Sequence, residues 1–381
     1  MATSAGSASI SGGRRARRRR LSARADGIPA LRRIHITIRK FRACVIQTAK
    51  AYLLHRNRAL PAAGGPEMNA PTLSLAATLL ASTALADTQT RTVTFENEGA
   101  ILSGTLYLPE GHEAGERLPV VVVTGAWTTV EEQMPRTYAE AMVDRGFAAF
   151  TFDFRGWGKS GDLPDGVRFK EDPAAKTSDL QAAFRAVAAL PEVDPAHISG
   201  LGICASAGYM LDAAAGNPLV RSVGLVAPWL QDRAIIEAVY GGTEGVAALR
   251  ALAAEAETVP GGTVIPAAGD VGAEGVLMPI GGYYFDPARG AIPAYDNRWN
   301  NLGWESWLTY QPLDRAADFD KPLAIVHSEA AAIPQGVRAF LAVVPVEPTV
   351  RWLDGVDQFT FYDGSAAVAD AADTVAAHFA R

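Results

Sequence analysis

Two cysteines in 381 residues leave this chain little sulfur. Cys44 lies in an arginine-rich leader and Cys204 in the body, so no disulfide framework forms and no partner thiol supports a redox pair. Histidine is scarce too, at six, which narrows the choice of general bases. Charge of one sign is thin in each part of the chain. Residues 1–67 hold fifteen of the 35 Lys/Arg and two of the 41 Asp/Glu, a net of +13, and the remainder carries −19. An acidic body of that size argues against nucleic acid or anionic membrane as a partner.

What is present separates into a leader and a body. The segment SAGSASISGGRRARRRRLSARA is low-complexity and basic, so residues 1–67 read as a disordered extension, or as upstream sequence foreign to the native protein. From Met68 the text becomes MNAPTLSLAATLLASTALA, uncharged and closing on the small-x-small Ala84-Leu85-Ala86. Residues 68–86 are therefore expected to be a signal peptide, although no Lys or Arg opens it. Export to the periplasm or beyond follows, with a mature chain from Asp87. The uncharged stretch is short for a bilayer span and carries Pro71, so no stable membrane span is expected.

Across the whole chain, 49% apolar content supports a sizeable core. Strand-like and helix-like segments alternate. LPVVVVTGA is a β-branched run suited to a strand buried on both faces, and VEEQMPRTYAEAMVDRG has helical spacing. FAAFTFDFR, HISGLGI, VRSVGLVAPW, KPLAIVHSE and TVRWLDG continue the strands. The pattern predicts an α/β fold, a doubly wound, mostly parallel sheet of about eight strands with helices on both faces. Residues of about 230–320 interrupt it. Too long for a plain loop, they are expected to form a mainly helical cap over the strand ends. Its aromatics, Tyr283, Tyr284, Phe285, Trp299, Trp304 and Trp307, either line a substrate pocket or pack the cap onto the body.

Chemistry concentrates in GICASAG, residues 202–208, where a strand meets a helix. A nucleophile held on such a strained turn needs small neighbours two residues to either side, because the helix start crowds the strand. Ending the strand at Ile203 puts Cys204 at the tip, with Gly202 before it and Ser206 after it. Making Ser206 the tip carries the strand two residues further, and register favours Cys204. A thiol there meets a helix N-terminus, which favours thiolate. The Ala205 N–H is positioned to face a developing oxyanion, with a second donor from TGAWTT, either Trp127 or Ala126.

Together GAWTTVEEQ, FDFRGWGKSG, EDPAAKTSDLQAA, GICASAGY, IVHSEAAAIP and DQFTFYD, in that order, resemble the α/β-hydrolase superfamily, in its dienelactone-hydrolase-like and peptidase-like bacterial branch. The resemblance covers about Arg91 to Arg381. It implies a hydrolase of esters, lactones, thioesters or related acyl compounds, with neither metal nor dissociable cofactor. It also marks two departures. Where such proteins carry an acid past the seventh strand, this chain has Ala331, and the nearest carboxylate is Glu329. Where they carry the base histidine, this chain has Gln358, which hydrogen-bonds but takes no proton near neutral pH. A thiol depends less on a base than a hydroxyl does, so Cys204 and Gln358 are mutually compatible. His327, at the end of the seventh strand, is a candidate surrogate base; Glu329, or Glu132 after the third strand, could instead polarise the thiol, and Asp357 could also reach the site. Asp153 and Arg155 read as structural. The expectation is an exported acyl hydrolase using Cys204. The alternative is a catalytically impaired relative that binds a small apolar ligand.

Overall fold

The computed structural model describes residues 88–381, so the expectations for 1–67, for the signal peptide 68–86 and for Cys44 lie outside the described residues. Strands β1 (Gln89–Asn97) and β2 (Ala100–Leu108) form an antiparallel hairpin. Its two-residue turn, Glu98-Gly99, has φ of 50° and 83°, the left-handed pair that matches the twist of the strands. Alternation follows through β3 (Leu118–Thr124), α1 (Met134–Val143), β4 (Ala148–Phe152), α2 (Pro173–Ala188), β5 (Val193–Ile203), α3 (Ser206–Ala214) and β6 (Ser222–Val226).

An insertion then departs from the sheet. It holds α4 (Arg233–Val239), α5 (Gly242–Glu257), a short antiparallel ribbon of β7 (Val264–Pro266) with β8 (Arg298–Asn300), and α6 (Gly303–Thr309). The cap is helical at both ends but irregular between, because Gly and Pro recur from Pro260 to Pro293 and stop helix propagation. The body resumes with β9 (Leu323–Ser328), α7 (Pro334–Leu341), β10 (Thr349–Leu353), α8 (Thr360–Asp363) and α9 (Ser365–Phe379).

Eight strands form one sheet in the order β1-β2-β4-β3-β5-β6-β9-β10, parallel from β4 onward. Val120–Val123 and all of β4, β6 and β9 are buried, as strands covered by helices on both faces must be. The chain goes outward from β3 to β4 and then crosses back to β5. Such a reversal opens a crevice at the carboxyl ends of the strands. Thr124 at the end of β3 pairs with Gly202 near the end of β5, so the loops that follow leave the sheet side by side.

Candidate active site

The β5–α3 turn has the strain expected of a nucleophile elbow. Cys204 has φ of 57°, in the left-handed region that β-carbon-bearing residues rarely enter. Its N–H donates to the Val226 carbonyl at 3.1 Å, and its carbonyl accepts from Ala207 at 3.1 Å and Trp229 at 2.9 Å. The main chain therefore over-determines the strained residue. Gly202 is required: a Cβ there would lie 2.8 Å from the Ala207 Cα. Ser206 is buried, and its hydroxyl bonds both the N–H and the carbonyl of Ile203, each at 3.1 Å. It is tied to the backbone and points away from the chemistry.

The Cys204 sulfur is faced by the Tyr362 hydroxyl and by the N–H groups of Ala205 and Trp127, with the Gln358 amide nitrogen beside them. Between the two loop donors considered, the Trp127 amide faces the sulfur. The Ala126 carbonyl is turned to Thr129, accepting from its N at 3.4 Å and its Oγ1 at 2.6 Å. Burial pushes the Cys204 thiol up and outweighs these polar neighbours, opposite to the lowering expected from the helix terminus alone. Beneath the cap the sulfur is little exposed, and this desolvation disfavours thiolate. Cys204 is thus a thiol near neutral pH.

Gln358 is fixed by main chain at both ends. Its Oε1 accepts from Ala332 N at 3.0 Å, and its Nε2 donates to Ala227 O at 2.9 Å and to Tyr362 Oη at 3.1 Å. The orientation of the amide follows from these partners, since Ala332 offers only a donor and Ala227 only an acceptor. Tyr362, unremarked in the sequence, lies on α8, one turn beyond Gln358. Having accepted from Gln358, its hydroxyl directs its own proton at the sulfur.

The expected surrogate bases do not join this group. His327 is fully buried at the end of β9, edge-on to Trp352 at 5.2 Å, and its ring nitrogens make no well-formed hydrogen bond. Burial lowers its pKa to about 4, and no bond links it to Cys204. Glu329 is exposed and ion-paired with Arg338, because the chain turns outward as β9 ends. Both are corrections to the sequence reading. Ala331 is buried and supplies no carboxylate. Glu132 pairs with Lys159, and Asp357 is taken by Phe359 N, Thr360 N and Thr360 Oγ1 at 2.8, 3.0 and 2.8 Å. Asp153 accepts from Glu131 N at 2.7 Å and Lys159 N at 2.8 Å, and Arg155 clamps Asp179 and Glu98. These last contacts brace the loops after β3 and β4.

Aromatic rings close over the sulfur. Tyr283, Tyr284 and Phe359 pack on Tyr362 with ring centres 5.2, 6.1 and 5.9 Å away. On the other side Trp299, Trp304 and Trp307 surround Trp127 at 4.7, 5.9 and 5.0 Å. The result leaves Cys204 6% exposed. The Tyr283–Tyr284 and Trp299–Trp304 pairs singled out in the sequence thus sit one ring back from the nucleophile, in two separate clusters.

Residues 102–236 match the dienelactone hydrolase family. The uncharacterized protein PA2218 of Pseudomonas aeruginosa is 39% identical over 134 residues, 35% of this chain and 35% of that one. Its crystal structure superposes with a TM-score of 0.68 at 24% identity, covering 82% of this chain and 99% of the other. The polyketide transferase claH of Penicillium crustosum and a thiohydrolase of Eupenicillium brefeldianum are each 34% identical over 131 residues, 34% of this chain and 41% and 40% of theirs. The chain thus aligns with about a third to two fifths of the length of these curated relatives. It shares the fold of the PA2218 structure, and within it residues 102–236 resemble the dienelactone hydrolase family, with Cys204 at the β5–α3 elbow.

Proposed function

We propose that the protein cleaves an acyl bond by nucleophilic attack of the Cys204 sulfur on an ester, lactone or thioester carbonyl. The reading is carried by one observation, a cysteine at φ 57° whose sulfur faces the N–H groups of both Ala205 and Trp127. As the carbonyl becomes tetrahedral, its oxygen takes the place beside those two donors. Each donor of this kind is worth about a hundredfold or more in rate. Tyr362 and Gln358 hold the sulfur in line. The aromatic surroundings suit an apolar or aromatic acyl group. The indole N–H groups of Trp127, Trp299 and Trp304 have no acceptor within the described residues, and a ligand oxygen there would satisfy buried donors. The relatives named thiohydrolase and polyketide transferase keep thioesters among the substrates to test.

Export by a signal peptide at 68–86 is part of the proposal, and N-terminal sequencing of secreted protein should begin at Asp87. Among the described residues no helix is long and apolar enough to cross a membrane.

The experiment for the chemistry is Cys204→Ala assayed on an activated aryl ester and on a thioester. A loss of at least about 1000-fold is expected; undiminished turnover would remove Cys204 as nucleophile. A second reading, ligand binding without turnover, draws on the lack of a proton acceptor beside the sulfur among the described residues. It predicts an inactive native protein whose ligand affinity survives Cys204→Ala.

A further inference from the structure

The polar groups facing Cys204 are all of one kind. Tyr362 Oη, Gln358 Nε2 and the amides of Ala205 and Trp127 are donors, and the Gln358 acceptor atom is turned away to Ala332. The described histidines are all engaged or remote: His112 with Glu116, His197 with Asp194, His378 beside Thr349, and His327 against Trp352. The buried carboxylate of Glu171 turns Oε1 to both Lys176 at 2.8 Å and Tyr209 at 2.6 Å, and although its Oε2 has no hydrogen-bond partner among the described residues, no bond links the group to Cys204. A ring of donors stabilises a negative sulfur or oxygen but takes no proton from an attacking water.

Proton accounting then separates the fates of an acylated Cys204. Water must lose a proton as it attacks, and doing so without a base forfeits about 10²–10⁴-fold in rate. A thiol, with a pKa of about 8.5, arrives partly as thiolate and needs no base in the site. The leaving group obeys the same logic, since a thiolate departs unprotonated and an alkoxide does not. The donors around the Cys204 sulfur offset part of the cost that burial places on its thiolate, both as it attacks and as it departs.

We propose that the site transfers an acyl group from one thiol to another through an S-acyl-Cys204 intermediate; this rests on Cys204 being the nucleophile. In the first half, the Cys204 sulfur bonds to the thioester carbonyl carbon and the donor C–S bond breaks. The Cys204 proton passes to solvent, and the departing thiolate collects one there. In the second half, the acceptor sulfur bonds to the same carbon and the Cys204 C–S bond breaks. The proton shed by the acceptor is replaced on Cys204 from solvent. No atom is oxidised or reduced, and no water is consumed.

The test mixes the full-length protein with the benzoyl thioester of N-acetylcysteamine, with and without β-mercaptoethanol, and separates the products. Ethanol at equal concentration and Cys204→Ala serve as controls. Without acceptor thiol, the expectation is one burst of released N-acetylcysteamine, a benzoyl adduct on Cys204 by mass spectrometry, and slow benzoate formation. With acceptor thiol, turnover should rise at least about 100-fold, the missing base no longer being needed. The product should be the β-mercaptoethanol thioester, well above the Cys204→Ala background, and ethanol should not substitute. Benzoate formed at the same rate with or without acceptor, or an adduct that neither water nor thiol releases, overturns the transfer proposal while leaving Cys204 as nucleophile. No adduct and no turnover above Cys204→Ala overturns both.

Discussion

The two ends of the same sheet edge differ in what they ask of the sequence. At the β5–α3 elbow the requirements belong to the backbone: a left-handed residue, a glycine two before it, and two N–H groups aimed at one point. All are met, and the Thr124–Gly202 register pairing supplies the second loop at the correct place. At the β9 and β10 ends the requirement is for side chains of particular acidity, and here Ala331 and Gln358 stand. The surrounding loop is nevertheless well ordered, with Gln358 bonded to Ala227, Ala332 and Tyr362. Backbone architecture and proton chemistry are thus separable: among the described residues the elbow geometry is kept, while Ala331 and Gln358 bring neither acid nor base.

Restoring the base sets the two ends against each other most sharply. Gln358→His should raise hydrolysis of an activated ester by about 10–100-fold, below the full worth of a general base because no carboxylate at 331 orients the ring. Measured kcat decides it, and no gain would mean that deacylation is not limited by proton removal. Tyr362→Phe removes the donor but keeps the ring packing, and should cost roughly tenfold, about 1.4 kcal/mol for a hydrogen bond to a charged group. The sharper readout is the pH dependence of Cys204 alkylation, which should move to higher pH.

Stability probes reach the oxyanion side. Burial, helped by the nearby Asp153 charge, pushes Glu131 up to about 7, and burial pushes Asp153 to about 6. The folded state therefore holds protons that the unfolded chain has released. That stability is complete below the ordinary carboxylate range and is lost as pH rises toward about 7. Urea denaturation at about pH 5 and about pH 8 should show the drop, and Glu131→Gln should reduce it by about 1–3 kcal/mol. Smallest of all, Ser206→Ala should leave turnover within about twofold while lowering stability by about 1 kcal/mol.

The apolar valine run, the alternation of elements and the small residues around Cys204 made the sheet and the elbow legible, since each is a local property. Strand register alone separated Cys204 from Ser206. Tyr362 was not legible, because its contact with Cys204 joins α8 to a turn 158 positions earlier and has no local signature. The direction of the thiol shift also required the fold, since a helix terminus is visible in sequence but burial under a cap is not. His327 and Glu329 stood near the correct strand end, yet one side chain turns into the core against Trp352 and the other out to Arg338.

Trp127 carries its backbone N–H on the body and its indole among three tryptophans of the cap. Rings so close couple their electronic transitions, and the coupling depends on their mutual angles. A ligand that parts the cap from the body alters that geometry and, through the same residue, displaces the amide that faces Cys204. Near-ultraviolet circular dichroism of the unlabelled protein should therefore register ligand entry and movement of the amide beside Cys204 as one optical event.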